Sequence, residues 1–188
     1  MTGTDEQPGR DALTARQRAV YDAIVHGPRT TSPQHFQIAD ADGRLLGPFG
    51  LMVEVPETGE PLQALGAALR YRTSLTARER EIAILTVARC TASAFERYAH
   101  EAVGRAAGLT DDEIDGLRTG HFVAANDREA AVAALAACSA DTSILTPDNR
   151  PENDVLDRTA VIEVTVLAGY YRSLAQLMGL FSIGAPIQ

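Results

Sequence analysis

Tryptophan is absent from this 188-residue chain, aromatic residues make up only 5%, and there are two cysteines. Cys90 and Cys138 stand 48 positions apart, in no CxxC motif and no cysteine/histidine cluster. That excludes a disulfide scaffold and gives no zinc spacing. Both fall in apolar helical stretches, where a small buried hydrophobe is the expected role. His26, His35 and His121 lie beside loops or helix ends without ligand spacing to one another, so they are expected to face solvent, and no metal is expected.

A basic surplus is also missing. The formal charge is -8 and the isoelectric point about 5.0, which disfavours nucleic acid and anionic membranes as partners, because each requires a basic face. No run reaches eighteen apolar residues, so no membrane span is expected. Met1 to Asp11 is polar and acidic where a signal peptide would be basic and then apolar, and the expectation is a cytoplasmic protein.

What is there is ordinary globular composition, with 45% hydrophobic and 22% charged residues. The length suits one domain over 1–188, with 1–47 as an N-terminal extension and 1–10 flexible. Thr14-Ala15-Arg16-Gln17 has the spacing of a capping box and predicts a helix start, with Val20, Ala23 and Ile24 as its apolar stripe. Residues 34–48 read as either a short hairpin around Asp40-Ala41-Asp42-Gly43 or an ordered loop. Helical spacing returns from Pro61 to Arg72, with Leu62, Leu65, Ala68 and Leu69 on one side.

Thr76-Ala77-Arg78-Glu79 is a second capping box, and the run through Ile82, Leu85, Val87 and Ala88 predicts a buried helix. Thr91-Ala92-Ser93 caps the next, which Gly108 closes. Leu109-Thr110-Asp111-Asp112-Glu113-Ile114 combines a capping box with a hydrophobic staple. Helices are also expected over Asp127–Ala140 and over about Asp157–Phe181, joined by a turn-rich connector. The last is apolar on more than half its circumference and needs burial on two sides.

The chemistry-bearing stretch follows Thr91. Ser93, Glu96, Arg97 and His100 stand at i, i+3, i+4 and i+7, on one helical face. Two readings are open. One is a solvated polar stripe with a weak Glu96–His100 pair. In the other, a carboxylate four residues before an imidazole fixes its tautomer and tunes it as a proton shuttle. Burial separates them. Arg97 is either a solvent-facing residue or a hold for an anionic group. Phe49, Phe95, Tyr98 and either Tyr170 or, by preference, Tyr171 are candidate pocket walls, with core packing as the plainer alternative.

The order of residues from Leu75 to Arg89, from Ser93 to Glu101 and from Ala106 to Ile114 resembles the core signature of the carboxymuconolactone decarboxylase-like family, which includes the alkylhydroperoxidase D branch. The likeness is strong over roughly 48–120, and Leu167 to Arg172 is similar to the family's last helix. The resemblance implies an all-α helical bundle, a cofactor-independent enzyme and a homo-oligomer, commonly a trimer or hexamer. In the peroxidase branch a glutamate precedes a CxxC and then a histidine. By position Glu81 falls on the glutamate, Ser93 and Glu96 on the two cysteines, and His100 on the histidine.

Ser93 and Glu96 supply no thiolate to attack peroxide and no second thiol to resolve the product. The resemblance thus implies the branch without the cysteine pair, with His100, Glu96 and Glu81 as the catalytic set and Ser93, Arg97, Tyr98, Phe49, Phe95 and Tyr171 about the substrate. The expected activity is acid/base chemistry (decarboxylation, dehydration, isomerisation or cyclisation) on a small cyclic or phenolic molecule. The alternatives are a non-catalytic binding or assembly protein and, further off, a thiol hydroperoxidase.

Overall fold

The computed structural model describes residues 12–27, 34–141, 144–151 and 154–186. The expectation of a flexible stretch over 1–10 lies outside them. The described residues form eight helices and no strand, so the all-α expectation holds. Contacts between Cα atoms group the chain into two compact units, Met1–Ala68 and Leu69–Gln188.

In the first unit, α1 (Ala15–Val25) starts at the capping box read from the sequence: the Thr14 hydroxyl accepts from the Gln17 N–H, and the Gln17 side chain returns to the Thr14 backbone. Val20, Tyr21 and Ile24 are its buried face. Between Ile38 and Leu46 the two sequence readings meet. A single antiparallel bridge joins Ala39 to Leu45 across the Asp40–Gly43 turn, and Asp40 Oδ1 accepts from the N–H groups of Asp42 and Arg44. The Tyr21 hydroxyl donates to the Gly43 carbonyl at 2.8 Å and ties this turn to α1.

Two corrections follow in the next stretch. A short helix, α2 (Pro48–Glu54), begins at the last residue of the stretch read as hairpin or loop and runs on where no element was expected, with Pro48 at a position where a missing N–H costs nothing. The next helix, α3 (Pro56–Tyr71), begins five residues before Pro61, which lies inside it. Its buried face is Gly59, Gln63, Gly66 and Leu69, whereas Leu65 is 40% exposed. The close approach of α2 explains the shift: a Cβ at Gly59 would sit 1.7 Å from the Met52 carbonyl oxygen, so only glycine fits there. Gln63 reaches the Ala23 carbonyl at 3.2 Å, which makes its burial affordable.

The second unit is built around α4 (Ala77–Cys90). Every residue from Glu81 to Ala88 is buried, and α5 (Ala94–Ala106), α6 (Asp111–Thr119), α7 (Asp127–Ala140) and α8 (Arg158–Leu180) all pack on it. Burying Ile82, Ile84, Leu85 and Val87 in full contributes about 1.5–3 kcal/mol each. Both ends of α4 are specified locally. The Thr76 capping box opens it. Arg78 then bridges Glu113 of α6 at 2.7 Å and Glu129 of α7 at 2.9 Å, and holds the Glu113 carboxyl down at about 2 through that hydrogen bond.

Only Thr91, Ala92 and Ser93 separate α4 from α5. Ala92 is left-handed at φ 52°, and the Ser93 N–H returns to the Ala88 carbonyl at 2.9 Å. Gly108 (φ 92°) closes α5, and the Thr110 capping box starts α6, both as read from the sequence. Cys90 corrects an expectation: as the last residue of α4 it is exposed, Cys138 is half-buried, and both are free thiols.

Candidate active site

The tight connection between α4 and α5 lays the two helices side by side and brings Glu81 against the middle of α5. His100 Nδ1 lies 2.6 Å from Glu81 Oε2, and His100 Nε2 lies 3.4 Å from Glu96 Oε2. Relative exposures are 0% for Glu81 and 3% for both Glu96 and His100, so the surface-stripe reading does not describe these three. From α8, the Tyr171 ring stands edge-on to the imidazole at 5.1 Å, and Tyr170 stacks edge-on behind it at 5.2 Å.

Electrostatics assigns the protons. Glu96 is pushed up to about 8, chiefly by burial and further by the Glu81 charge, against the pull of Arg70; at neutral pH it is a carboxylic acid. Burial opposes ionisation of Glu81 too, yet its carboxyl is held below the usual range, first by the charge and the hydrogen bond that His100 offers and then by Arg70 and Arg80. Burial lowers His100, with Arg70 and Arg80 pushing the same way and Glu81 opposing them. These directions give a carboxylate at Glu81, a neutral imidazole whose Nδ1 faces it, and an acid at Glu96 beside Nε2. Burial and its surroundings raise Tyr171 well above the phenol range, so its hydroxyl keeps its proton.

Two cations complete the cluster, and the sequence reading missed both. Arg80 Nε stands 3.7 Å from Glu81 Oε1. Arg70, near the end of α3, acts on Glu81, Glu96, His100 and Tyr171. Burial would lower Arg70, but Tyr171, Glu81 and the Tyr71 hydroxyl outweigh it and the guanidinium stays charged. Neither residue had a periodic signal: Arg70 follows a core leucine at a helix end, and Arg80 sits in a charged first turn that reads as solvated. Buried polar atoms without a hydrogen-bond partner gather here, at Glu81 Oε1, Glu96 Oε1, Arg70 Nε and Arg80 Nε. Folded proteins rarely leave such atoms unmet, and sites that bind something are among the exceptions.

The remaining sequence candidates fall elsewhere. Ser93 spends its hydroxyl as the α5 cap, accepting from the Glu96 N–H at 3.4 Å. Arg97 is half-buried with an unpartnered Nε and is not among the charges acting on the cluster. Phe95 and Tyr98 form a tilted ring pair at 6.0 Å. Phe49 is buried in α2, in the first unit. His26, His35 and His121 are exposed. Among the described residues no group of three or more His, Cys, Asp or Glu side chains is arranged to hold a metal ion.

Two cavities described for the second unit lie away from the cluster. One of about 680 Å³ is lined by Cys90, Thr91, Asp141, Arg172 and Leu180, among others, and one of about 260 Å³ by Thr86, Arg89, Phe122 and alanines of α7. No helix among the described residues is long and apolar enough to cross a membrane.

An all-helical unit thus buries a glutamate–histidine–glutamate chain beside two arginines, with no cysteine in the cluster. Residues 56–138, a span that carries Arg70, Glu81, Glu96 and His100, match the Carboxymuconolactone decarboxylase family. No curated protein and no solved structure matches the chain.

Proposed function

We propose that the chain is a cofactor-independent acid/base enzyme acting on a small cyclic or phenolic molecule. The observation that carries this reading is one buried cluster in which His100 stands between two carboxyl groups, Nδ1 2.6 Å from Glu81 and Nε2 3.4 Å from Glu96. His100 takes a proton from the guest through Nε2. Glu96 returns one to a second atom of the guest, and Glu81 fixes the imidazole tautomer and spreads the charge that develops on the ring. Isomerisation, dehydration, cyclisation and decarboxylation each contain such an exchange. The chain contains no lysine, all seventeen basic residues being arginine, so a side-chain Schiff base is not an option.

The test is turnover of phenolic, lactone and polyketide-like acids by wild type, His100→Ala and Glu96→Gln. Each variant is expected to lose at least about a hundredfold in kcat. The wild-type profile should fall on the alkaline side near pH 8, as Glu96 loses the proton it must donate, and that limb should vanish in Glu96→Gln. Glu81 is a positioning residue, and Glu81→Gln should move the acidic limb to lower pH because the imidazole loses its neighbouring negative charge. Equal turnover by wild type and His100→Ala would end this reading.

A second reading, a non-catalytic binding or assembly module, is favoured by the closure of the cluster and by cavities that lie elsewhere. It predicts no substrate-dependent change at the His100 ring. Under either reading we expect a homo-oligomer, because α8 leaves Ile162, Val166 and Leu180 exposed at 52%, 42% and 78%.

A further inference from the structure

Arg70 stands apart from the other charges of the cluster. Arg80 is answered by Glu81 at 3.7 Å, but among the described residues no carboxylate lies within ion-pair distance of the Arg70 guanidinium. Its Nε is buried and has no hydrogen-bond partner, while its guanidinium carbon sits 5.8 Å from the centre of the Tyr71 ring. The side chain as a whole is half-buried, unlike Glu81, Glu96 and His100, so it is the member of the acid–base neighbourhood, beside Arg80, that reaches toward solvent. An unpartnered Nε leaves unmet one donor of the side-on edge of the guanidinium, the edge that takes a carboxylate through two parallel N–H donors.

Counting charges gives the same answer. Arg70 and Arg80 supply two positive charges and Glu81 one negative, while Glu96 and His100 are neutral, which leaves one positive charge in excess. Both guanidinium groups are half-buried, so solvent answers part of that excess and a bound anion would answer the rest. Resting on the acid–base reading of the same site, we propose that Arg70 is its specificity-determining residue and selects guests with a single negative charge, holding their carboxylate or oxyanion beside His100 and Glu96. A neutral guest leaves the guanidinium unanswered. A dianion reverses the imbalance.

Binding of simple probes to the full chain tests this without knowledge of the substrate. Acetate and benzoate, each against its neutral amide, are titrated at pH 7 while the His100 ring and the Arg70 Nε–H are followed by NMR. The acids are expected to shift both sets of signals saturably, and the amides to leave them in place. Arg70→Gln should weaken acid binding at least about tenfold, and Arg70→Lys, which keeps the charge and loses the side-on edge, should fall between. Amides binding as tightly as acids, absence of an anion-dependent shift, or wild-type affinity in Arg70→Gln would each overturn the assignment. Should Arg70→Gln fail to fold, Arg70→Lys and the acid/amide contrast still decide. A pH titration of His100 in the same samples without anion reports on the acid–base reading separately: an ordinary, solvent-exposed imidazole would defeat that reading, whatever Arg70 binds.

Discussion

A carboxyl group with an ordinary value of 4.5 that burial holds near 8 makes the folded chain bind a proton the unfolded chain releases. The consequence for stability has a definite sign. Between those values the native state carries more protons at Glu96 than the unfolded state, so this group's contribution declines as pH rises and levels off above about 8. Glu81 and His100, both lowered, act oppositely: their contributions are lost as pH falls, below 4.5 and 6.5 respectively. From pH 6.5 to 8 Glu96 is thus the member of the three that still titrates. We expect wild type to lose roughly 1–2 kcal/mol of unfolding free energy across that interval, and Glu96→Gln, a shape-matched mimic of the acid, to stay level there. Urea unfolding at several pH values measures it, and parallel curves would mean that Glu96 is ionised in the native state. The identities of Glu81, Glu96 and His100 were legible in residue order and spacing. Which carboxyl keeps the proton was not, because that depends on which one faces two guanidinium groups, and contacts with Arg70 and Arg80 leave no trace in helical periodicity.

Among the helices, legibility tracked how local the determining contact is. The capping boxes at Thr14, Thr76 and Thr110 are satisfied within four residues, and each helix starts where its box places it. α2 and the early start of α3 depend on packing between two helices around Gly59, whereas the helical spacing in the sequence begins only at Pro61. The α4–α5 connection is intermediate: Ser93 was legible as a cap, but the left-handed backbone of Ala92 was not. Alanine at φ 52° is strained, and its side chain is exposed. Ala92→Gly should therefore relieve that strain at no cost in buried contacts and raise stability by about 0.5–1 kcal/mol, net of glycine's added freedom in the unfolded chain. Thermal unfolding checks this, with the midpoint expected to rise by a few degrees. A fall would show that the connection is not strained in solution. Because the same three residues set Glu81 against His100, the His100 ring signals should remain unchanged in this variant.

For the molecule as a whole, the net charge of -8 works against self-association, so any contact between copies should use a surface where charge is absent. The exposed side of α8 meets that condition. Ile162, Val166, Gly169, Ser173, Gln176 and Leu180 fall at helical spacing on one face, all exposed and none charged, along a helix whose opposite side is core. The sequence showed that α8 is too apolar to be covered on one side only, and the structure supplies cover for the other face through α4 and α7. If this strip is where copies meet, sedimentation velocity should show an assembly larger than one chain at micromolar concentration. Val166→Lys would place a desolvated charge in the contact and shift the population toward single chains. The fold should survive that change, since Val166 is already 42% exposed. A wild-type protein that sediments as one chain throughout would leave the strip as ordinary exposed apolar surface, and the case for assembly would then have no support from this face.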